Sequence, residues 1–323
     1  HEYYDVAGKT STEGSLPYDM PGGEQQIDDL SSVYIGARQS RFGIEGEANT
    51  KVGHIRTYME VDFASTTSSF WRLRHAYAEW NYFKIGHTWS TFMDNASLPT
   101  TVEFEGPNSS LSKRHGLIRY ERKYGEQSIV GVSIEAPVSD YFNPADSLLE
   151  GKNKQGNFDI AGRYKHLQKW GHVQLAGIFR RIDYLNDDHI DELYGWGILL
   201  SSVYKLNEKN TFYTQYSLGE SIANYYVGFS NRQLDAVYDP EADNMTRKFI
   251  QGGFLTYTHI FSPVWRFSAT FGLSYLEDKD FEPAETFKSS RYLAVNIFYY
   301  PIETINIGFE FTAGSRTNKD DQR

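Results

Sequence analysis

The chain has 323 residues, 16% of them aromatic, a formal net charge of -10 and no cysteine. The negative charge argues against nucleic acid as a partner, because phosphate binding needs a basic face. The lack of cysteine excludes disulfides, thiolate metal sites and a cysteine nucleophile. No run of about 20 apolar residues is present, which excludes a bundle of transmembrane helices but not a membrane β-barrel, whose strands face lipid with every second residue.

From residue 33 onward the chain alternates apolar and polar residues with a period of two, the pattern of half-buried strands. "KVGHIRTYMEVDF" (51–63) and "VWRFSATFGLSY" (264–275) are clear examples. The alternation predicts fourteen strands, near residues 33–47, 51–64, 70–80, 82–90, 114–124, 127–136, 157–167, 170–182, 192–205, 211–219, 248–261, 264–276, 288–300 and 303–314.

The connections between these strands alternate between short and long. Short turns fall near 48–51, 80–82, 124–128, 167–170, 205–211, 261–264 and 300–303, and long connections near 64–70, 91–113, 137–156, 183–191, 220–247, 276–288 and after 314. This rhythm is typical of an up-and-down outer-membrane barrel, with tight turns on one rim and extended loops on the other. Trp80, Trp170 and Trp265 lie at short turns, which predicts an aromatic ring at one membrane interface.

We therefore expect residues 1–323 to form one all-β domain, a transmembrane antiparallel up-and-down β-barrel. Strand parity requires a further strand ahead of 33–47, with "HEYYDV" as its tail, and another after Arg323. Barrels of this class have an even number of strands, so the expectation is about sixteen, the first and last being incomplete or missing. The alternative is a closed fourteen-stranded barrel with its N-terminus on the outer rim.

The segment "WSTFMDNASLPTTVEFEGPN" (89–108) interrupts the alternation. A barrel of this size encloses an aqueous lumen, and loops this long are usually functional or disordered. We expect residues 91–113 to fold inward as a constriction loop, pinned by apolar residues such as Phe92, with Asp94, Glu103 and Glu105 facing the channel. The alternatives are a loop lying across the outer surface or one latching onto a neighbouring subunit.

Five stretches in this region carry a resemblance. "ARQSRFGIEGE" (37–47), "RTYMEVDF" (56–63), "RLRHAYAEW" (72–80), "IGHTWSTFMDNASLPTTVEFEGPN" (85–108) and "IRY" (118–120) resemble, in order, the DcaP-like porins of Gram-negative outer membranes. The chain departs from the family in having His87 where Gln is usual, and in lacking a C-terminal strand that ends in an aromatic residue. The resemblance implies a trimeric, sixteen-stranded porin for passive uptake of small solutes, with a leaning toward anionic compounds such as dicarboxylates.

Arginines within the strands are candidates for charge selection. A guanidinium facing lipid costs about 2–4 kcal/mol at the bilayer midplane, so these side chains are expected to face the lumen. The predicted pore-lining set is Arg38, Arg41, Arg56, Arg72, Arg74, Arg119, Arg163, Arg180 and Arg266. Arg38 and Arg41 differ in parity, so one of them needs a bulge or lies near a rim. Arginines opposite an acidic loop would set a transverse field; the alternative is that they simply pair with wall carboxylates.

Enzyme motifs with a nucleophile, a metal or a nucleotide loop are not found, so no catalytic residue, metal or cofactor is expected. The predicted function is an outer-membrane porin for small hydrophilic solutes, with outer-membrane lipid and lipopolysaccharide around it and two further copies in a homotrimer. Two alternatives stay open: an outer-membrane barrel hydrolase, and a soluble extracellular glycan-binding β-protein.

Overall fold

The computed structural model describes residues 2–5, 17–19, 31–34, 37, 39–63, 71–137, 141–142, 156–186 and 189–321. Its main element is an antiparallel sheet of fourteen strands in which each strand pairs with the next one along the chain in that sheet. The strands are β3 (Arg41–Thr50), β4 (Gly53–Asp62), β5 (Arg72–Trp80), β6 (Phe83–Trp89), β7 (Arg114–Tyr124), β8 (Ser128–Glu135), β10 (Asp159–Gln168), β11 (Gly171–Asn186), β12 (His189–Lys205), β13 (Asn210–Glu220), β16 (Phe249–Ser262), β17 (Trp265–Leu276), β18 (Phe287–Ile302) and β19 (Ile305–Asn318).

Five short strands complete the description. β1 (Glu2–Asp5) pairs with β2 (Ser31–Tyr34), while β9 (Tyr141–Phe142), β14 (Ala236–Asp239) and β15 (Asn244–Arg247) form a small three-stranded sheet. The predicted strand 33–47 corresponds to β2 and β3, and the "HEYYDV" segment does contain a strand that pairs with it. Single 3-10 turns occur at Pro17–Asp19, Asn95–Ser97, Ala223–Tyr225 and Val227–Phe229. Within the described ranges, no helix combines the length and apolar content needed to cross a membrane.

The predicted up-and-down order is confirmed, and one loop is shorter than predicted. β11 and β12 continue in register from Gly171↔Tyr204 to Asn186↔His189, so residues 183–186 and 189–191, expected to belong to a long connection, lie in strands. The acidic residues there hid the pairing, because a strand end beyond the membrane needs no apolar face. The described residues supply fourteen of the roughly sixteen predicted strands.

The two faces of the sheet are inverted relative to a soluble protein. On β11, Leu175 and Phe179 point outward and are 52% and 51% exposed, whereas Gln174 and Arg180 on the other face are fully buried. Soluble domains bury aliphatic side chains and seldom bury charged ones. The sheet therefore presents an apolar band to the membrane and encloses polar side chains, as a porin barrel does.

Aromatic side chains lie at the short-turn rim, as the tryptophan positions predict. Trp170 packs against Tyr204 and Trp265 against Tyr299, with ring centroids 5.4 Å and 4.8 Å apart. Both pairs join neighbouring strands beside a turn, where amphipathic rings suit the membrane interface.

Candidate functional site

The loop between β6 and β7 lies inside the barrel. Phe92 and Met93 are fully buried and pack with Ile178 and Leu199, which project from the inner faces of β11 and β12. The apolar anchor is therefore where the sequence predicts it, and the loop lies on the inner wall rather than on the outer surface.

Asp94, at the tip of this loop, does not face the channel as expected. One carboxylate oxygen accepts a hydrogen bond from Lys165 Nζ at 2.7 Å, and the other lies 2.6 Å from His172 Nε2 and accepts from Ser201 Oγ at 2.8 Å. Burial opposes ionisation, but the contact with His172 and the charge of Lys165 outweigh it and hold the pKa of the Asp94 carboxyl well below its usual range. Asp94 thus fastens the loop to three wall strands.

Glu103 is also turned to the wall. Its carboxylate accepts a hydrogen bond from the Tyr292 hydroxyl at 2.9 Å, and the backbone N–H groups of Val102 and Glu103 donate to the Glu310 carboxylate at 3.1 and 2.9 Å. Glu105 is half-buried. The physical reason is that a loop inside a barrel must satisfy its backbone and charged groups, and the polar wall supplies the partners.

The returning part of the loop follows the same half of the barrel. Asn108 donates to Ser290 Oγ at 2.8 Å on β18, and Ser109 donates to the Gly253 carbonyl at 2.9 Å on β16. Leu111 N–H then reaches the side chain of Gln215 on β13. The loop is therefore fastened at its base to β7 and β8, through Arg119 and Glu135, and from Asp94 onward it contacts inner-face residues of strands from β10 to β19.

A second segment, residues 221–235, also lies inside the barrel. From the sequence, it is predicted only as part of a long connection. Arg180 holds it: its Nε donates to Asp159 at 3.0 Å, and one terminal nitrogen donates to Asp235 at 3.0 Å and to the Ser221 carbonyl at 2.5 Å. The Tyr225 ring stacks 5.0 Å from the guanidinium. Arg180 is fully buried, so it fastens this segment rather than lining the channel.

The β3–β5 side of the wall carries closely spaced charges. Arg72 donates two hydrogen bonds to Asp62, at 2.9 and 2.7 Å, and Arg74 donates to Glu60 at 2.7 Å and Asp62 at 2.8 Å. Arg41 is the cross-strand register partner of Asp62. The predicted set is thus brought together here at Arg41, Arg72 and Arg74.

Sequence reasoning missed a fourth arginine of this cluster. Arg114, the first residue of β7, stacks on the Trp89 ring at 4.4 Å and is close enough to Arg41, Arg72 and Arg74 to interact electrostatically. It lies where the loop joins the strand, so strand alternation does not define its direction. We call Arg41, Arg72, Arg74 and Arg114 the arginine wall; with Glu60 and Asp62 it has four positive and two negative charges, an excess of two.

The remaining predicted arginines lie apart from this wall. Arg56 pairs with Glu45 at 2.6 Å and with Glu79 at 2.9 Å, and Arg163 pairs with Glu121. The Arg56 pairs join β4 to β3 and β5, and the Arg163–Glu121 pair crosses β8 to join β10 to β7.

Two others have local roles, and one is outside the description. Arg119 donates to the Trp89 carbonyl at 2.5 Å and to Thr91 Oγ1 at 2.7 Å, holding the base of the loop. Arg266 lies 4.3 Å from the Tyr300 ring centroid beside a short turn. Arg38 lies outside the described residues.

Within the described residues, the cluster of Ser90, His115 and Glu135 does not have the arrangement of a serine nucleophile. Ser90 Oγ and His115 Nε2 both contact the same oxygen of Glu135, at 2.6 and 2.7 Å. A relay requires the serine to bond to the histidine, with the acid on its far side. Across the described ranges, no group of three or more His, Asp or Glu side chains could hold a metal ion.

Comparison with known proteins agrees with this geometry. The outer membrane channel DcaP of Acinetobacter baumannii matches with a TM-score of 0.84 and 20% identity, over 99% of this chain and 89% of that one. An anion-selective porin from Comamonas acidovorans matches with a TM-score of 0.61 and 10% identity, over 89% of this chain and 83% of that one. OmpT of Vibrio cholerae, in trimer form, matches with a TM-score of 0.58 and 12% identity, over 92% of this chain and 87% of that one.

These structures establish the barrel fold, and proteins with curated functional descriptions give no match. The model of the DcaP outer membrane protein family matches residues 3–322, which confirms the resemblance carried by residues 37–120 and places the chain in the outer membrane. The barrel with its inward loop is an outer-membrane channel, and the chain belongs to the DcaP outer membrane protein family.

Proposed function

We propose that this channel passes small hydrophilic solutes by diffusion and prefers anions, with small carboxylates as its solute class. The observation that supports the proposal is the excess positive charge of the arginine wall. Two of the three loop carboxylates that would oppose that charge, Asp94 and Glu103, are buried against other strands and bonded to Lys165, His172 and Tyr292, and the third, Glu105, is half-buried.

The position of the arginine wall supports its role at the narrow part of the channel. The Arg72 guanidinium lies 5.7 Å from the ring centroid of Phe104, on the constriction loop. A solute passing between wall and loop meets these cations in a confined space whose low-dielectric surroundings strengthen their field. Guanidinium groups also match the planar geometry of carboxylates, and two arginines side by side suit a dicarboxylate.

Two of the matched proteins support the same proposal. The Comamonas porin is described as anion-selective, and one OmpT structure as a trimer form. We accordingly propose a homotrimer whose three channels each carry an arginine wall.

The test is the reversal potential of channels in a planar bilayer under a KCl gradient. The Arg41→Gln, Arg72→Gln double variant should lower the chloride-to-potassium permeability ratio several-fold, because it removes the excess of two charges. Arg122→Gln is the matched control, since Arg122 lies on the outward face of β7, stacked 5.1 Å from Tyr82 and 5.3 Å from Tyr124. An unchanged ratio in the double variant, or cation preference in the native channel, would contradict the proposal.

A further inference from the structure

The outward face of the barrel carries a groove of about 530 Å³ across β13, β16, β17 and β18. Its centre is a row of register partners, Tyr216, Gly253, Leu273 and Arg291. Gly253 leaves a gap in this row between Tyr216 and Leu273. A Cβ at residue 253 would lie 2.5 Å from the Gln215 carbonyl oxygen, so the backbone spacing keeps this position without a side chain.

The groove lies near the loop-side edge of the apolar band. From the short-turn rim upward, the outward side chains of β18 include Tyr299, Ile297 and Leu293, and then Arg291. Tyr299 packs against Trp265 at that rim. Eight residues separate Tyr299 from Arg291, which at ~3.3 Å per residue and the usual strand tilt is about 20 Å in height. Since the apolar band of such barrels is about 25 Å tall, Arg291 lies within about 5 Å of its loop-side edge, and its long side chain can reach the outer headgroups.

Arg291 brings a positive charge to an otherwise uncharged stretch of this face. Its side chain is exposed, and its register partners on the two adjoining strands are Leu273 and Ser315. In the part of the chain that the structure describes, no carboxylate forms an ion pair with it. A cation at this depth is stabilised by an anionic headgroup, and phosphate accepts strong hydrogen bonds from guanidinium.

The rest of the groove changes from apolar to polar along its length. Leu255 and Phe271, 52% and 48% exposed, line its lower part, while Gln251, Tyr275 and Ser289 line its loop-side part. The Tyr216 hydroxyl donates to Gln251 at 2.7 Å, which fixes one edge. The apolar residues on the membrane-interior side of Arg291 suit an acyl chain, and Arg291 itself suits a phosphate. The hydrogen-bonding groups on its loop side suit a sugar headgroup.

We propose that this groove is a binding site for a phosphorylated glycolipid of the outer leaflet, of the lipid A class. A phosphate of the lipid contacts Arg291, an acyl chain lies along Leu255 and Phe271 across the gap at Gly253, and the sugar contacts the polar end. The site lies on the outside of the barrel and is independent of the solute that the channel carries.

The test uses the full chain in a mild nonionic detergent, titrated with diphosphoryl lipid A and followed by native mass spectrometry. Arg291→Gln should weaken binding about tenfold, the effect expected for losing one charge-assisted hydrogen bond, while Arg291→Lys keeps most of the affinity. Leu273→Trp, which fills the gap at Gly253 without changing charge, should also weaken binding. Arg122→Gln, an outward arginine at the opposite rim, should bind as the native chain does.

Three results would each overturn the proposal. The first is that Arg291→Gln binds lipid A as tightly as the native chain does. The second is that the native chain binds lipid A equally well with and without its phosphates. The third is that it binds phosphatidylglycerol as tightly as lipid A, which would indicate a general anionic-lipid surface. Unchanged single-channel conductance of Arg291→Gln serves as the control that the barrel has folded.

Discussion

Asp94 is a single residue on which the position of the constriction loop depends. Its carboxylate is 1% exposed and joins the loop to β10, β11 and β12 through Lys165, His172 and Ser201. Breaking a buried ion pair by removing one partner typically costs about 3–5 kcal/mol, because the remaining charge stays desolvated. The loop tip should therefore leave the wall when this carboxylate is neutralised.

Asp94→Asn should give larger or noisier single-channel conductance at neutral pH. The native channel should behave in the same way only in acid. The pKa of Asp94 in the folded protein lies below that of an unfolded aspartate, so this carboxylate stabilises the loop fully when the pH is above the ordinary aspartate range. The stabilisation is lost as the pH falls from that range toward the lowered pKa. Glu208→Gln, an acid-to-amide change in a short turn, is the control. A native trace and an Asp94→Asn trace that coincide from neutral pH downward would refute the role assigned to this residue.

The second inward segment, residues 221–235, depends on Arg180 as the loop tip depends on Asp94. Arg180 shares its charge between Asp159 and Asp235 and has no exposed surface. Its role is therefore in stability and not in reading the charge of a solute.

Arg180→Gln should lower the free energy of unfolding by about 3–5 kcal/mol, because two buried carboxylates lose the cation they share. Chemical denaturation in lipid vesicles measures this loss. Arg181→Gln is the matched neighbour: Arg181 is 29% exposed and its partner Glu192 41%, while its other partner Asp183 is buried, so the change should cost less than Arg180→Gln. In bilayers, Arg180→Gln should leave the chloride-to-potassium permeability ratio unchanged; a shifted ratio in a normally folded channel would return Arg180 to the pore lining.

Strands could be predicted from the sequence because their alternation is local, whereas the partners of the inner segments could not. Asp94 meets Lys165, 71 residues away, and Glu103 meets Glu310, 207 residues away. No local pattern encodes which wall strand a loop carboxylate will contact. Residues 221–235 did contain one usable signal, the apolar and aromatic residues Ile222, Ala223, Tyr225 and Tyr226 close together within a long connection, and all four are buried.

At the scale of the whole molecule, the barrel separates two environments that ask opposite things of its residues. The outer face is aliphatic and aromatic, and the inner face carries ion pairs such as Arg74–Glu60 beside buried loops. Each strand faces lipid with one side and the barrel interior with the other, so its residues alternate between apolar and polar with a period of two. The position of a substitution relative to the membrane should then decide its cost more than the residue type does.

Leu175 and Leu206 allow this to be measured with one substitution. Leu175 is 52% exposed on the outward face and paired with Leu200. It is five residues from Trp170 at the short-turn rim, about 13 Å in height and so near the middle of the apolar band. Leu206 is 57% exposed in the short turn after β12. Leu175→Arg should cost about 2–4 kcal/mol because the guanidinium enters hydrocarbon, and Leu206→Arg about 0–1 kcal/mol because it lies at the interface. Reversible denaturant unfolding in vesicles gives both values. Equal costs would mean that residue 175 does not face the membrane interior. A large difference that disappears in short-chain detergent micelles would show that the bilayer, and not packing within the protein, sets the cost.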